Sequence, residues 1–283
     1  MEDSVVNDLL DSSDAPNGKT LWSALKPIEE GSGSYREIKT FETNNGLRLL
    51  PGDIKLSKFE GCLYDLWTES LNRKIRGLKG SNALSELVNS CASSCKADYV
   101  FYDTGPNIGP LNRVILLDCD HFIIPAACDL FSVRALITLG QTLATWVNDW
   151  TSIRSFSPDG ISMLPGRPHY LGYIPQKFRV YGDLKVGTFD EYARDIDKHV
   201  FSDVISILRA VDPLLADQKS TGTKLGEVRD FSQLVPSAQR SGTPIWLAKD
   251  GNPDLKNEAK STFAGIATNI VRMTKSRKGG TLT

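Results

Sequence analysis

Only five cysteines are spread over 283 residues, an odd number without the spacing of a disulfide framework, and a 31.1 kDa chain can build a core without staples. A reducing compartment fits that usage, so a cytoplasmic protein is expected. Charge of one sign is also missing. The 33 basic and 34 acidic residues leave a formal net charge of -1, which gives no global pull toward nucleic acid or anionic lipid. No stretch approaches the roughly 18 consecutive apolar residues of a membrane span, and Met1-Glu2-Asp3 is acidic with no basic or apolar signal region behind it. No membrane span and no export signal are expected. What is present, 40% hydrophobic and 24% charged residues, is the balance of a folded globular protein and excludes collagen, coiled coil and wholesale disorder.

Patterning along the chain predicts a mixed α/β protein. Ser4 to Leu10 reads as a short acidic helix, and Leu21, Trp22 and Leu25 mark a second. Leu47 to Leu50, stopped by Pro51-Gly52-Asp53, reads as a short buried strand. Helical spacing covers Leu56 to about Leu71. Arg73 to Gly80 reads as a basic, glycine-punctuated loop, with Ser81 capping a helix to about Lys96. Two apolar runs follow, Tyr99 to Tyr102 and His121 to Ile124, with a helix-length segment between them. Runs without polar alternation predict strands buried on both faces, hence a parallel sheet with helical crossovers. A long helix is expected from about Ser132 to Trp150, and helices again over about 189–211 and 256–273. The loop-rich stretch at about 155–187, with one strand candidate at Tyr170 to Ile174, reads as an insertion in a single domain over 1–283.

The run Tyr99 to Tyr102 delivers Asp103 to the carboxyl end of a predicted parallel strand, where open α/β sheets place their ligand crevices. An aspartate there, followed by Thr104-Gly105-Pro106, has the form of a Walker B segment, which holds Mg²⁺ directly or through water beside a nucleotide. On these residues alone the pattern is weak, and a strand ending in a turn is the favoured description.

The wider stretch DYVFYDTGPNIGPLNRVILLDCDHFIIPAACDLFSVRAL, Asp98 to Leu136, resembles the ParA/MinD family of deviant Walker A P-loop ATPases. In that family a segment hhhhDTPP precedes a helix and a strand ending in Ile-Pro. Asp103, Thr104 and Pro106 match the first segment, with Gly105 in place of the first proline, and Ile124-Pro125 match the second. Leu49 to Asp53, Gly172 to Arg179 (GYIPQKFR) and Val235 to Pro244 extend the similarity over most of the chain. The resemblance implies a three-layer αβα fold with a mainly parallel sheet, P-loop NTPase-like. It implies ATP and Mg²⁺ as cofactors and a homodimeric switch that partitions plasmids or chromosomes, or positions cargo through an adaptor. Asp103 would organise metal and water as the catalytic and metal-binding residue, with Thr104 beside it; Gln176 would lie near the adenine, and Asp230 at the base rim.

The family's glycine-rich loop, KGGxxGKT, is missing from these residues. Gly18-Lys19-Thr20 is a decoy, because Ser13 stands where a P-loop needs glycine and no buried strand precedes it. The expectation is an N-terminally incomplete ATPase domain, lacking the first strand and phosphate loop and unable to hydrolyse ATP alone. The alternative is a non-enzymatic scaffold or interaction protein that has lost nucleotide binding.

Other groupings favour plain roles. Cys91 and Cys95 fall on one helical face without two further zinc ligands. Arg73, Lys74, Arg76 and Lys79, with Arg272, Lys275, Arg277 and Lys278, are the basic groupings that non-specific DNA binding would use; a solvated surface is the default. The amphipathic segment Phe263 to Val271 reads as a last helix packed on the domain.

Overall fold

The computed structural model describes residues 3–43, 46–178, 180–181, 184–185, 187–217, 223–231 and 233–278. The chain divides into two compact units, a helical one of residues 4–119 and 145–168 and a sheet-containing one of 1–3, 120–144 and 169–283.

The helical unit carries α1 (Asp3–Asp11), α2 (Leu21–Glu29), the hairpin strands β1 (Phe41–Glu42) and β2 (Arg48–Leu49), α3 (Leu56–Leu71), α4 (Ile75–Cys95) and α5 (Pro110–Asp118). The side chain of Thr20 accepts the Ser23 N–H and the Ser23 hydroxyl accepts the Thr20 N–H, a reciprocal box that satisfies two of the donors a helix start leaves open. Gly18-Lys19-Thr20 is therefore a helix cap. The Gly18 N–H donates to Ala15 O at 2.9 Å and is not offered to a phosphate. Leu47 to Leu50 is not a buried strand: Arg48 and Leu49 form a two-residue hairpin arm and both are exposed. With only β1 beside it, the arm is covered on neither face.

α3 matches the expected range. Phe59, Leu63, Leu66, Trp67 and Ser70 form one buried stripe at helical spacing, and each large aliphatic side chain so buried contributes about 1.5–3 kcal/mol. The basic loop expected over Arg73 to Gly80 does not exist, because α4 already begins at Ile75. Its glycines serve packing. A Cβ at Gly77 would sit 2.6 Å from Leu66 O and a Cβ at Gly80 would sit 2.6 Å from the Leu66 methyls, so both glycines let α4 lie against α3. Residues 155–168 fold back within this unit. Leu164 O accepts the Trp150 indole N–H at 3.0 Å, and Trp150 stacks on Trp67 with centroids 5.3 Å apart.

The sheet-containing unit holds β3 (His121–Ala127), the first part of α6 (Leu130–Ser155), β4 (His169–Phe178), a small hairpin β5 (Val180–Tyr181) and β6 (Leu184–Lys185), α7 (Gly187–His199), α8 (Ser206–Val211), β7 (Val228–Arg229), α9 (Val235–Ser241) and α10 (Pro253–Lys278). The order β3-β4-β7 is parallel throughout. The strand candidate at Tyr170 to Ile174 is thus the ten-residue middle strand of this sheet. Gly172 makes room for its neighbour, since a Cβ there would meet Leu225 Cγ at 2.7 Å, and Tyr173 exchanges backbone hydrogen bonds with Thr223 O (3.0 Å) and the Leu225 N–H (2.9 Å). Arg179 lies outside the described residues. A π-helical turn at Val200–Ile205 joins α7 to α8, and Gly140 of α6 faces the Asp203 carbonyl at a separation no side chain would allow. α10 packs through Ala259 and Ile266, and Asn269 donates to Leu225 O at 2.9 Å. The terminal helix is seated on protein, as its narrow apolar stripe predicts.

α6 is long and apolar enough to be compared with a membrane span by composition. Val133, Leu136 and Leu143 are buried, as are Trp146, Val147, Trp150 and Ile153, whereas Leu130 and Phe131 at its start are exposed.

A methyl group at Gly77 must displace backbone, so Gly77→Ala is expected to lower stability by about 1–3 kcal/mol in urea denaturation. Gly61, on an open face of α3, has nothing within 4 Å of an added Cβ, and Gly61→Ala is expected to raise stability by up to about 1 kcal/mol.

Candidate functional site

Asp103 and Thr104 stand at the end of the run Asp98 to Tyr102, but that run is not a buried strand. It pairs with no strand among the described residues, and Val100 and Phe101 are 48% and 73% exposed. Side-chain bonds hold it instead. The Tyr102 hydroxyl donates to Asp118 Oδ2 at 2.8 Å, and the Ser85 hydroxyl donates to Asp118 Oδ1 at 2.5 Å, which ties the segment to α5 and α4. Burial, with the Asp118 carboxylate adding to it, pushes the Tyr102 phenol far above its ordinary pKa.

Beyond Asp103 the chain turns through Thr104-Gly105-Pro106-Asn107 into α5, whose first residue is Pro110. The buried Asn112 staples this loop, its side-chain amide donating to Gly105 O at 2.8 Å and Asn107 O at 2.7 Å. The loop is therefore shaped by a side chain one turn into the following helix. Asp103 and Thr104 are exposed on it and have no protein partner among the described residues. A free carboxylate and a free hydroxyl on adjacent residues are hard oxygen donors of the kind Mg²⁺ takes, a cation that usually binds one or two carboxylates and fills its shell with waters and phosphate oxygens. The described residues hold no group of three His, Cys, Asp or Glu side chains that could form a protein-only metal cage.

Arg113 of α5 sits with its guanidinium carbon 3.8 Å from the Trp67 ring centroid. Its Nε and Nη2 are buried without a hydrogen-bond acceptor, and burial pulls its pKa down to about 10 against the opposing pull of Asp149. Sequence reading missed Asn112, Arg113 and the Tyr102–Asp118 bond. Asn and Arg in the first turn after Gly-Pro carry no local signature; their roles come from what lies across from them.

The other two candidates lie in the sheet-containing unit. Strand pairing sets Gln176 of β4 opposite Val228 of β7, and Asp230 follows two residues later. The register slips between Gln176 and Phe178, where Lys177 takes φ +62, a left-handed conformation that bends the end of β4. Both candidates thus fall at the carboxyl ends of adjacent parallel strands, the usual crevice of an open α/β sheet. Asp230 lines a cleft of about 370 Å³ with Gln233, Asn252 and Asp254. Its wall is braced by Arg229, which donates to both carboxylate oxygens of Glu258 at 3.2 and 2.9 Å. Gln176 does not line the cleft. Polar groups of both hydrogen-bonding senses in a space of this size suit a flat heterocycle better than an apolar ligand.

Residues 13–152 match the model of the family described as AAA domain, AAA_31. That stretch is AAA-domain-like. It contains Asp103, Thr104, Asn112 and Arg113, and the match supports a P-loop NTPase kind. No curated protein matches the chain. Among solved structures it is similar to protein DIP2308 from Corynebacterium diphtheriae, with a TM-score of 0.68 and 20% sequence identity over 97% of this chain and 83% of that one. At that identity the likeness concerns fold. The α/β class with a parallel sheet, P-loop NTPase-like, is the fold adopted.

Of the basic residues, Arg76 is paired with Glu69 at 2.8 Å and Arg73 lies over the Phe156 ring at 4.6 Å. The side chains of Arg277 and Lys278 lie outside the described residues.

Replacing Tyr102 with Phe removes one of the two hydroxyl donors to the Asp118 carboxylate. A hydrogen bond to a charged group contributes about 1.5–3 kcal/mol, so Tyr102→Phe is expected to lower urea-denaturation stability by that order, with the α-helical circular dichroism of the native state unchanged.

Proposed function

We propose that this chain is the larger part of a ParA-like, deviant Walker A ATPase. In complete form it is a homodimeric, Mg²⁺-ATP-dependent switch for plasmid or chromosome partition or for cargo positioning. The observation that carries the proposal is Asp103, presented without a protein partner on a side-chain-stapled loop inside the AAA-matched stretch. Asp103 would hold the metal directly or through water and would orient the attacking water, with the Thr104 hydroxyl beside it. A Mg²⁺ held there would supply neutralisation of phosphate charge during transfer of the terminal phosphoryl group from ADP to water. Asp230 accepts a hydrogen bond from an exocyclic amine of the base, and Gln176 borders the same strand ends.

These 283 residues contain no phosphate loop, so turnover requires one from a polypeptide segment outside them. In a form that carries that loop, Asp103→Asn is expected to reduce Mg²⁺-dependent ATP turnover by about 100-fold or more. Asp230→Ala is expected to raise KM for ATP by about tenfold at nearly unchanged kcat, the loss of one base contact. Unchanged turnover in Asp103→Asn overturns the assignment. Intact mass of the endogenous protein is expected to exceed 31.1 kDa. A mass equal to residues 1–283 favours the second reading, a non-enzymatic interaction protein, to which the exposed Val100 and Phe101 also point.

A further inference from the structure

The helical unit contains a second concave feature, a groove of about 910 Å³ away from Asp103 and Thr104 in sequence and lining. One wall is a single face of α4, with Leu87, Ser90, Cys91, Ser94 and Cys95 at helical i, i+3, i+4, i+7 and i+8 spacing. The other is the stretch Arg36 to Glu42 that runs into β1. The Cys91 thiol donates to Ile38 O at 3.5 Å and ties the two walls together.

That second wall has backbone to offer. The Arg36 N–H donates to Ala24 O at 2.8 Å, and the β1–β2 hairpin pairs Phe41 and Glu42. Between them the N–H groups of Glu37, Ile38, Lys39 and Thr40 have no protein acceptor among the described residues. Alternate N–H groups of an extended segment face one side, so two of these four donors, leading into a two-residue strand, make an edge onto which another strand can add.

Charge selects the occupant. Four cations line the groove against the two carboxylates of Glu37 and Glu42. Arg36 is occupied with the carbonyls of Pro16, Gly18 and Ser23, and Arg48 is paired with Glu42 at 2.9 Å. Lys39 and Lys19, the latter 5.9 Å above the Phe41 ring, have no carboxylate partner among the described residues. Ile38 and Phe41, both half-buried, supply apolar surface in the same groove, whose floor includes the buried Leu87.

We propose that this groove takes an extended acidic peptide segment, added as a strand along Glu37 to Thr40, with its carboxylates on Lys19 and Lys39 and its apolar side chains on Ile38 and Phe41. The proposal is independent of the nucleotide reading. The test uses the 283-residue chain and a fluorescein-labelled octapeptide of alternating Val and Glu, followed by fluorescence anisotropy. Two control peptides carry Lys in place of Glu, or N-methylated backbone amides. Binding of the Val/Glu peptide is expected. It is expected to weaken about tenfold or more in Lys19→Glu/Lys39→Glu and with N-methylation, while the doubly substituted chain gains affinity for the Val/Lys peptide. Because both lysines are exposed, the double variant is expected to keep the parent circular dichroism. Equal binding of the Glu and Lys peptides overturns the proposal. So does displacement by tripolyphosphate combined with indifference to N-methylation, which would identify a small-anion site.

Discussion

A backbone N–H or carbonyl leaves water without penalty only where another group takes its hydrogen bond, and that constraint sorts the apolar runs of this chain. β4 has a parallel neighbour on each side and becomes the buried middle of its sheet. β3 has one. The run ending at Tyr102 has none among the described residues, and its most apolar members, Val100 and Phe101, face solvent. Three segments of similar composition thus reach three states, and what separates them is the supply of neighbours.

The candidate site inherits this. Without a ladder to hold the segment before Asp103, side chains do it: Tyr102 on Asp118, Ser85 on Asp118, and Asn112 on the carbonyls of the loop. Such a network is directional, so it fixes the loop while leaving Asp103 and Thr104 without partners. On the other unit the same constraint is met by strand pairing, which brings Gln176 and Asp230 to one sheet end although 54 positions separate them in sequence. The two groups of candidate residues, each within its own unit, are therefore supported by different physics, polar stapling in one and a parallel ladder in the other.

Glycine plays a part that composition conceals. Gly77 and Gly80 look like punctuation, yet they sit inside α4 because the cost of glycine in a helix, about 1 kcal/mol each, is offset by close packing on α3. Gly18-Lys19-Thr20 looks like a phosphate loop and is a helix cap, with Thr20 bonded to Ser23 and to Asp53. The glycines of α4 are explained only by Leu66 on the neighbouring helix, while the cap at Thr20 agrees with the Ser13 that already excluded a phosphate loop.

Amphipathic spacing was enough to place α3 at its observed ends and to locate β3, α6 and α10 to within a few residues, because helical and strand periodicities are local properties of the chain. The motif around Asp103 and the strand ends at Gln176 and Asp230 were likewise legible as candidates. Whether Tyr99 to Tyr102 would be paired, whether Leu47 to Leu50 would be covered, and which side chains would hold the Asp103 loop were not. Strand burial, glycine contacts and the Asn112 staple depend on groups distant in sequence, and only the tertiary structure determines which of them meet. The sequence by itself determined the α/β class and the residues able to do chemistry; the tertiary structure decided which of those residues are held, which are free, and by what bonds, since hydrogen bonding and close packing are satisfied in space and not along the chain.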